Sequence, residues 1–283
     1  MDVRGRVAVV TGAAGGIGAA LARALSATGA FVVVVDRDYD RVQQVVALIE
    51  RDHPGRALGA EGDVSDSNVI EGVIDVARRN FGPVDLYCAN AGVGGTASDG
   101  MSDEDDWEQA LQVNLMAHIR AARLLVPEWL ERGSGYFLST ASAAGLLTQI
   151  GSAPYSVSKH GAVAFAEWLS VTYGDRGVKV SCLCPMGVNT NMLNAGRAEL
   201  DGPAAAAAKA VTSSGLVLEP EDVAQVVLAG LAAEQFLILP HPEVLTFFQR
   251  KASDYDRWLA GMRRLHASLI PDPPSILVQS ADC

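Results

Sequence analysis

The 283-residue chain is poor in the residues from which metal centres, disulfide frameworks and membrane spans are made. Its four cysteines (Cys88, Cys182, Cys184 and Cys283) include no CxxC pair, so neither a zinc knuckle nor a redox dithiol is indicated. Cys182 and Cys184 fall in VKVSCLCP, where strand periodicity points both to one side, as buried free thiols. The histidines, His53, His118, His160, His241 and His266, are scattered without ligand spacing, and no metal site is expected. No apolar run approaches the roughly 18 residues that cross a bilayer. The N-terminal MDVRGRVAVVTGAAGG has too short an apolar stretch for a signal peptide before its glycines. Positive charge is scarce: 22 Lys and Arg against 33 Asp and Glu give a net charge of −11. That balance repels phosphate backbones and argues against nucleic acid as a partner. No G-x-S-x-G elbow is present, which counts against a serine hydrolase. The setting these absences describe is a reducing cytoplasm, with no nucleic-acid or membrane partner.

What is present is a packed globular composition, 49% hydrophobic and 19% charged. Short β-branched runs alternate with helical patterns. RVAVVTG reads as a strand, and Ile17, Ala20, Leu21, Ala24 and Leu25 then mark one helix face. FVVVVD is apolar on both faces, as a strand inside a parallel sheet should be. A helical stretch from 40 to 52 leads to ALGAEGDV, another runs to 80, and VDLYCANAG, GYFLSTAS, VKVSCLCP and FLILP supply further strands. One long helical region is expected over 103–131. The alternation predicts an α/β fold: a doubly wound parallel sheet, Rossmann-like, with helices on both faces in a single domain over residues 1–270. A substrate lid is expected at about 191–215, including the Ala-rich DGPAAAAAKA, and a Pro-rich tail over 271–283.

TGAAGGIG, residues 11–18, joins the first strand to the first helix. Glycine lets backbone approach a ligand closely, and a helix N-terminus offers free N–H groups, so the turn suits a pyrophosphate. Its spacing is G-x-x-x-G-x-G (Gly12, Gly16, Gly18) rather than G-x-G-x-x-G; packing alone also produces such turns. Asp36 closes the second strand, where a carboxylate can accept hydrogen bonds from ribose hydroxyls and repels a 2′-phosphate. Its plainer reading is a helix cap or turn residue. Arg37, next to it, can receive that phosphate, but the glycine turn carries no Lys or Arg, and NAD is favoured over NADP.

PYSVSK, residues 154–159, puts Tyr155 and Lys159 on one helix face. Ser142 precedes Tyr155 by 13 residues; Ser139 is a rival on the same strand, at 16. With TGAAGGIG, Asn90-Ala91-Gly92 and Asn114 in QVNLMAH, the ordered set resembles the single-domain branch of the short-chain dehydrogenase/reductase family over about residues 5–240. The resemblance implies catalytic roles for Asn114, Ser142, Tyr155 and Lys159. Tyr155 would exchange the substrate proton and Ser142 would bond the substrate oxygen. Lys159 would lower the Tyr155 pKa and hold the nicotinamide ribose, and Asn114 would anchor a water relay. A purely structural role for the Asn114 amide is the alternative. The implied cofactor-binding set is Gly12, Gly16, Ile17, Gly18, Asp36, Arg37, Asp63, Val64, Asn90, Tyr155, Lys159, Pro185, Val188 and Thr190. Asp63 reads equally as an ordinary turn residue.

The physics accommodates those roles. A phenol titrates near pH 10, so work near neutrality needs a shift of roughly 3 units, about 4 kcal/mol. An ammonium about 4 Å away at an effective dielectric near 20 supplies an energy of that order. The sequence departs from the family pattern at PMGVNT (185–190), where Met186 stands in place of a glycine. Met186 either fills a gap or narrows the pocket beside the nicotinamide.

Leu146, Leu147, Ile150, Met186, Met192 and Leu193 cluster near the expected pocket with few charges. The expected activity is NAD-dependent hydride transfer on an apolar secondary alcohol or ketone, rather than a sugar phosphate or a carboxylate. An NADP-dependent ketoreductase and an NAD-binding regulator without turnover are the rivals. A homotetramer or homodimer is what the resemblance implies for assembly.

Overall fold

Strands that are apolar on both faces need cover on both, and this chain supplies it by interleaving helices. The computed structural model describes residues 1–95, 102–199 and 202–270. Its seven strands are β1 (Val7–Thr11), β2 (Phe31–Asp36), β3 (Ala57–Glu61), β4 (Leu86–Ala89), β5 (Gly135–Thr140), β6 (Val178–Leu183) and β7 (Leu237–Ile238). All pair in parallel, in the order β3-β2-β1-β4-β5-β6-β7. The anticipated doubly wound single domain is what forms. The pleat divides the core. Val7 and Val9 of β1 face one layer, built with α3 (Ser67–Asn80), α5 (Ala117–Arg132) and α6 (Ala153–Tyr173). Ala8 and Val10 face the other, with α1 (Gly16–Ala27), α2 (Tyr39–Asp52) and α9 (Pro220–Ala232).

Strand order reverses between β1 and β4, so the connections leaving their ends diverge to opposite faces and open a crevice at the carboxyl edge. Three further helix pairs or turns shape that edge: α4 (Glu104–Leu111), α7 (Asn191–Ala198) with α8 (Gly202–Thr212), and α10 (Glu243–Ser253) with α11 (Tyr255–Leu269). The tail anticipated over 271–283, with Cys283, lies outside the described residues. Cys88, Cys182 and Cys184 are buried and free, the last two with sulfurs 3.8 Å apart. Among the described residues no helix is long and apolar enough to cross a membrane.

The single helix expected over 103–131 is interrupted. A π-turn at Gln112–Met116 separates α4 from α5. Such a widened turn is invisible to hydrophobic periodicity, because it shifts phase by a single residue. Here it carries the buried Asn114, whose amide pairs with both backbone groups of Val93: Val93 N–H donates to Oδ1 at 2.9 Å and Nδ2 donates to Val93 O at 2.9 Å.

His118, on the next turn, is buried against β5. Its Nδ1 lies 3.0 Å from Ser139 Oγ, and Nε2 has no hydrogen-bond partner. Burial, with the Lys159 charge adding to it, pushes its pKa down from 6.5 to about 3. Between those values the unfolded chain binds a proton that the folded one refuses. The stabilisation is therefore present above about pH 6.5 and lost as pH falls toward 3, at up to about 1.4 kcal/mol per pH unit. His118→Gln should flatten the fall in unfolding free energy over that window, measured by urea titration at several pH values. An unchanged slope would show that His118 does not titrate this way.

Candidate active site

The crevice is a cleft of about 1040 Å³ that runs from Asp36 across the glycine turn to Tyr155 and on between α8 and α11. Gly12 and Gly16 adopt φ of +65° and +52°, a backbone region that disfavours a side chain. Close contact is a second constraint: a Cβ on Gly18 would stand 2.2 Å from Gly12 O, and one on Gly12 only 2.6 Å from Ala91 Cα. A Cβ on Gly15 would meet nothing within 4 Å, so the turn is open toward the cleft. Helices α2 and α3 are capped by Asp38 and Asp66, whereas α1 begins at Gly15 with no side-chain cap and no acid in its first turn. Its leading N–H groups are left to an external acceptor, which fits a pyrophosphate.

Asp36 stands at the head of β2 beside this turn. Its Oδ2 accepts from Ala14 N at 3.1 Å and its Oδ1 from Asp38 N at 3.3 Å. The carboxylate thus shapes the turn, as the plainer reading had it, while still lining the cleft. Arg37, Asp38 and Arg41 line the same end, with Arg41 3.8 Å from Asp38. Ile17, Asn90, Pro185, Val188 and Thr190 line the cleft as well. Asp63 and Val64 do not: Asp63 Oδ1 accepts from Ser65 N at 2.8 Å in an exposed turn, and Val64 is buried in the core. This donor set suits a dinucleotide: acceptors at Asp36, free helix N–H groups in the middle, and the 185–190 loop at the far end.

At that far end Ser142, Tyr155 and Lys159 meet. Ser142 follows β5 and its Oγ accepts from Ala144 N at 3.1 Å. Tyr155 lies in the first turn of α6, whose N-cap Ser152 accepts from Tyr155 N at 3.4 Å. Ser139 points instead into the core toward His118, which separates the two candidate serines. One turn after Tyr155, Lys159 is buried, donates to Thr140 O at 2.9 Å, and lies 5.8 Å from the centre of the Tyr155 ring. Burial drops its pKa from 10.5 to about 8.

The expected lowering of the Tyr155 pKa is not found. Burial raises it, the Ser142 hydrogen bond draws it partly back, and nearby Cys184 raises it further. The physical reason is that Lys159 spends its ammonium on Thr140 and is itself desolvated. Asn114 sits behind this pair rather than in the cleft wall, its amide engaged with Val93 and, at 3.0 Å, with Ser158 Oγ. Gly92 fills the space between: a Cβ there would lie 3.2 Å from Asn114 Oδ1 and 3.3 Å from Lys159 Nζ.

Two residues invisible to motif reading hold the site in place. His241 is buried and accepts from Met186 N at Nδ1, 3.1 Å away, so its proton must reside on Nε2. That Nε2 donates to Gly187 O at 3.0 Å and Leu216 O at 3.1 Å. Met186 is thereby fixed in the cleft wall, and its methyl end packs where a Cβ on Gly215 would intrude at 2.5 Å. Lys251 of α10, also buried, donates to Leu146 O at 2.9 Å and Leu147 O at 2.8 Å. It pins the chain just beyond Ser142 to the C-terminal helices, and its ammonium lies 5.0 Å from the Trp258 ring centre. In sequence it is one more lysine on an amphipathic helix. Lys251→Met should leave two carbonyls without their donor and cost about 1–3 kcal/mol, read as a fall in thermal midpoint. Unaltered stability would mean that water replaces the ammonium freely.

The chain matches the family model described as short chain dehydrogenase over residues 6–201. It is 32% identical to the 1-deoxy-11-beta-hydroxypentalenate dehydrogenase of Streptomyces exfoliatus over 277 residues, 97% of this chain and 94% of that protein. It is also 32% identical over 236 residues to the 3beta-hydroxysteroid dehydrogenase 1 of Eggerthella lenta, 83% of this chain and 89% of that one. A short chain dehydrogenase/reductase from Burkholderia phymatum, solved in complex with NAD, superposes with a TM-score of 0.81 at 30% identity, covering 90% of this chain and 96% of its own. By the matched model, by these relatives and by its sheet order, this chain belongs to the short-chain dehydrogenase/reductase family, whose chemistry is nicotinamide-dependent oxidation and reduction.

Proposed function

We propose that the chain is an NAD-dependent dehydrogenase of an apolar secondary alcohol, interconverting it with the ketone. The observation that carries this reading is the meeting of Ser142, Tyr155 and Lys159 in one cleft with the glycine turn and Asp36. The bound dinucleotide would accept the carbinol hydride. Gly12, Gly16, Ile17 and Gly18 would hold its phosphates, Asp36 its adenosine ribose, Lys159 its other ribose, and Pro185, Val188 and Thr190 its nicotinamide end. Ser142 Oγ would donate to the substrate oxygen and orient it toward Tyr155. The Tyr155 hydroxyl would take the alcohol proton in oxidation and return it in reduction. With its pKa near 8, Lys159 can exchange that proton near neutrality, as an ordinary lysine cannot. Asn114 would support this indirectly, by fixing the loop at Val93 and Ser158 around Lys159.

Substrate walls come from Leu147, Ile150, Met192, Leu193 and the alanine face of α8, with Phe247 from α10. The anticipated lid over about 191–215 would be built mainly from α7 (Asn191–Ala198) and α8 (Gly202–Thr212). The names of the two relatives, dehydrogenases of a hydroxypentalenate and a hydroxysteroid, support a bulky alcohol. A second reading has a specific observation behind it: the Arg37 guanidinium makes no ion pair among the described residues and lines the Asp36 end, where it could receive the 2′-phosphate of NADP.

Absorbance at 340 nm, with NAD⁺ or NADP⁺ and a panel of cyclic secondary alcohols, tests both readings. Tyr155→Phe should lower kcat by at least about 100-fold with the NADH dissociation constant nearly unchanged. Substantial residual turnover would remove the assigned role. Asp36→Ala should narrow the NAD-to-NADP ratio of kcat/KM by about tenfold. If the ratio stays put, Asp36 only shapes the turn.

A further inference from the structure

The cleft does not end at its apolar walls. Its far end, formed by Arg250, Trp258 and Met262, adjoins a second cavity of about 510 Å³ between α10 and α11, lined also by Asp254, Arg257 and Arg264. The three residues named first line both spaces. The side cavity is cationic in a protein whose net charge is −11. None of Arg250, Arg257 and Arg264 forms an ion pair or a side-chain hydrogen bond among the described residues, whereas Arg4, Arg51, Arg78 and Arg132 all do. Asp254 is the one carboxylate in the lining, and its Oδ1 is committed to the N-cap of α11, accepting from Arg257 N at 3.0 Å. Lys251, the other cation of α10, turns away from the cavity to the Leu146 and Leu147 carbonyls.

Three exposed guanidiniums, unpaired among the described residues, line one concave surface and present forked donors that match a carboxylate. Trp258 and Met262 supply an apolar neck between this group and the cleft. We propose that the α10–α11 cavity is a subsite for a carboxylate borne by the substrate, remote from its carbinol, with Arg250 at the junction as its first contact. The proposal rests on the dehydrogenase reading for the position of the carbinol and refines its substrate class to an apolar alcohol bearing an acid group. The sequence alone suggested few charges about the pocket, because Arg250 lies far from every motif and lines the cleft only by the packing of α10 against it, while Arg264 lines the adjoining cavity.

Decanoate and decanamide have the same chain and nearly the same headgroup shape but differ in charge. Their binding to the full-length protein saturated with NADH, which fills the cofactor end, can be followed by calorimetry at pH 7.5. Decanoate is expected to bind about tenfold more tightly, with an advantage that shrinks as salt is raised. Arg250→Gln and, separately, Arg264→Gln should bring the two probes to within about twofold. Arg37→Gln, at the opposite end of the cleft, should leave the preference intact. Equal affinities in the unmodified protein, no binding of decanoate, or a preference that survives both substitutions would overturn the proposal. Turnover of neutral secondary alcohols by the unmodified protein is a separate readout. If it is present without a carboxylate preference, the subsite fails and the dehydrogenase reading stands. If turnover is absent both with neutral secondary alcohols and with secondary alcohols bearing a remote carboxylate, while the preference holds, the dehydrogenase reading fails instead.

Discussion

The cleft exists because β1 and β4 are neighbours whose following segments leave in opposite directions, and that parting has to be held at one point. The hold is a small knot of hydrogen bonds. Thr11 Oγ1 donates to Cys88 O and accepts from Asn90 N and Ala91 N at 3.0 and 3.1 Å. Asn90 Nδ2 donates back to Thr11 O at 2.9 Å and Gly12 O at 3.3 Å. Every group in the knot is satisfied inside the protein, so the strand ends need no ligand to stay in register. Gly12 and Gly18 are glycine because the knot leaves no room for a Cβ. The glycine turn is as much a packing solution as a binding loop, and the two roles share the same atoms.

At the other end of the cleft, two titratable groups are shifted in opposite directions by the same burial. Lys159 is driven toward neutrality and Tyr155 toward its protonated form. For a phenol and an amine one turn apart, desolvation disfavours the charged form of each. Proximity helps only when both charged forms coexist, and Lys159 is instead committed to a carbonyl of β5. The protein's own groups therefore set a neutral phenol beside a lysine of lowered pKa, and a positive nicotinamide beside them would favour the phenolate by adding charge of the right sign.

Much of this was legible in the sequence, and the pattern of what was not has a physical cause. The valine runs of β1 and β2, the glycine turn, Asp36, and Tyr155 one turn from Lys159 all declare themselves within a few residues. Ser142 over Ser139 followed from spacing and is explained by strand alternation, which sends Ser139 to His118. The π-turn at Asn114 was hidden because its cause, a double hydrogen bond to Val93, is 21 residues away. His241 and Lys251 were hidden for the same reason, each reaching across the fold to backbone carbonyls that have no sequence signature. Asp63 and Val64 were legible only through the family resemblance: locally Asp63 forms its turn and Val64 a core contact, apart from the residues that line the cleft.

His241 also ties together two stretches of chain that are joined by a narrow backbone ladder and by Asn189 Nδ2 donating to the Glu219 carboxylate at 3.0 Å. Leu218 N donates to Gly187 O at 2.9 Å and Asn189 N to Leu218 O at 2.8 Å, while the imidazole bridges Met186, Gly187 and Leu216. A single ring thus spans the 185–190 loop and the segment that follows α8. Neither strap can loosen without stripping partners from the other. Linkage of this kind makes one cooperative unit in the language of native-state fluctuations, so the two walls of the cleft that these straps form are expected to open and close as a single foldon rather than breathing separately.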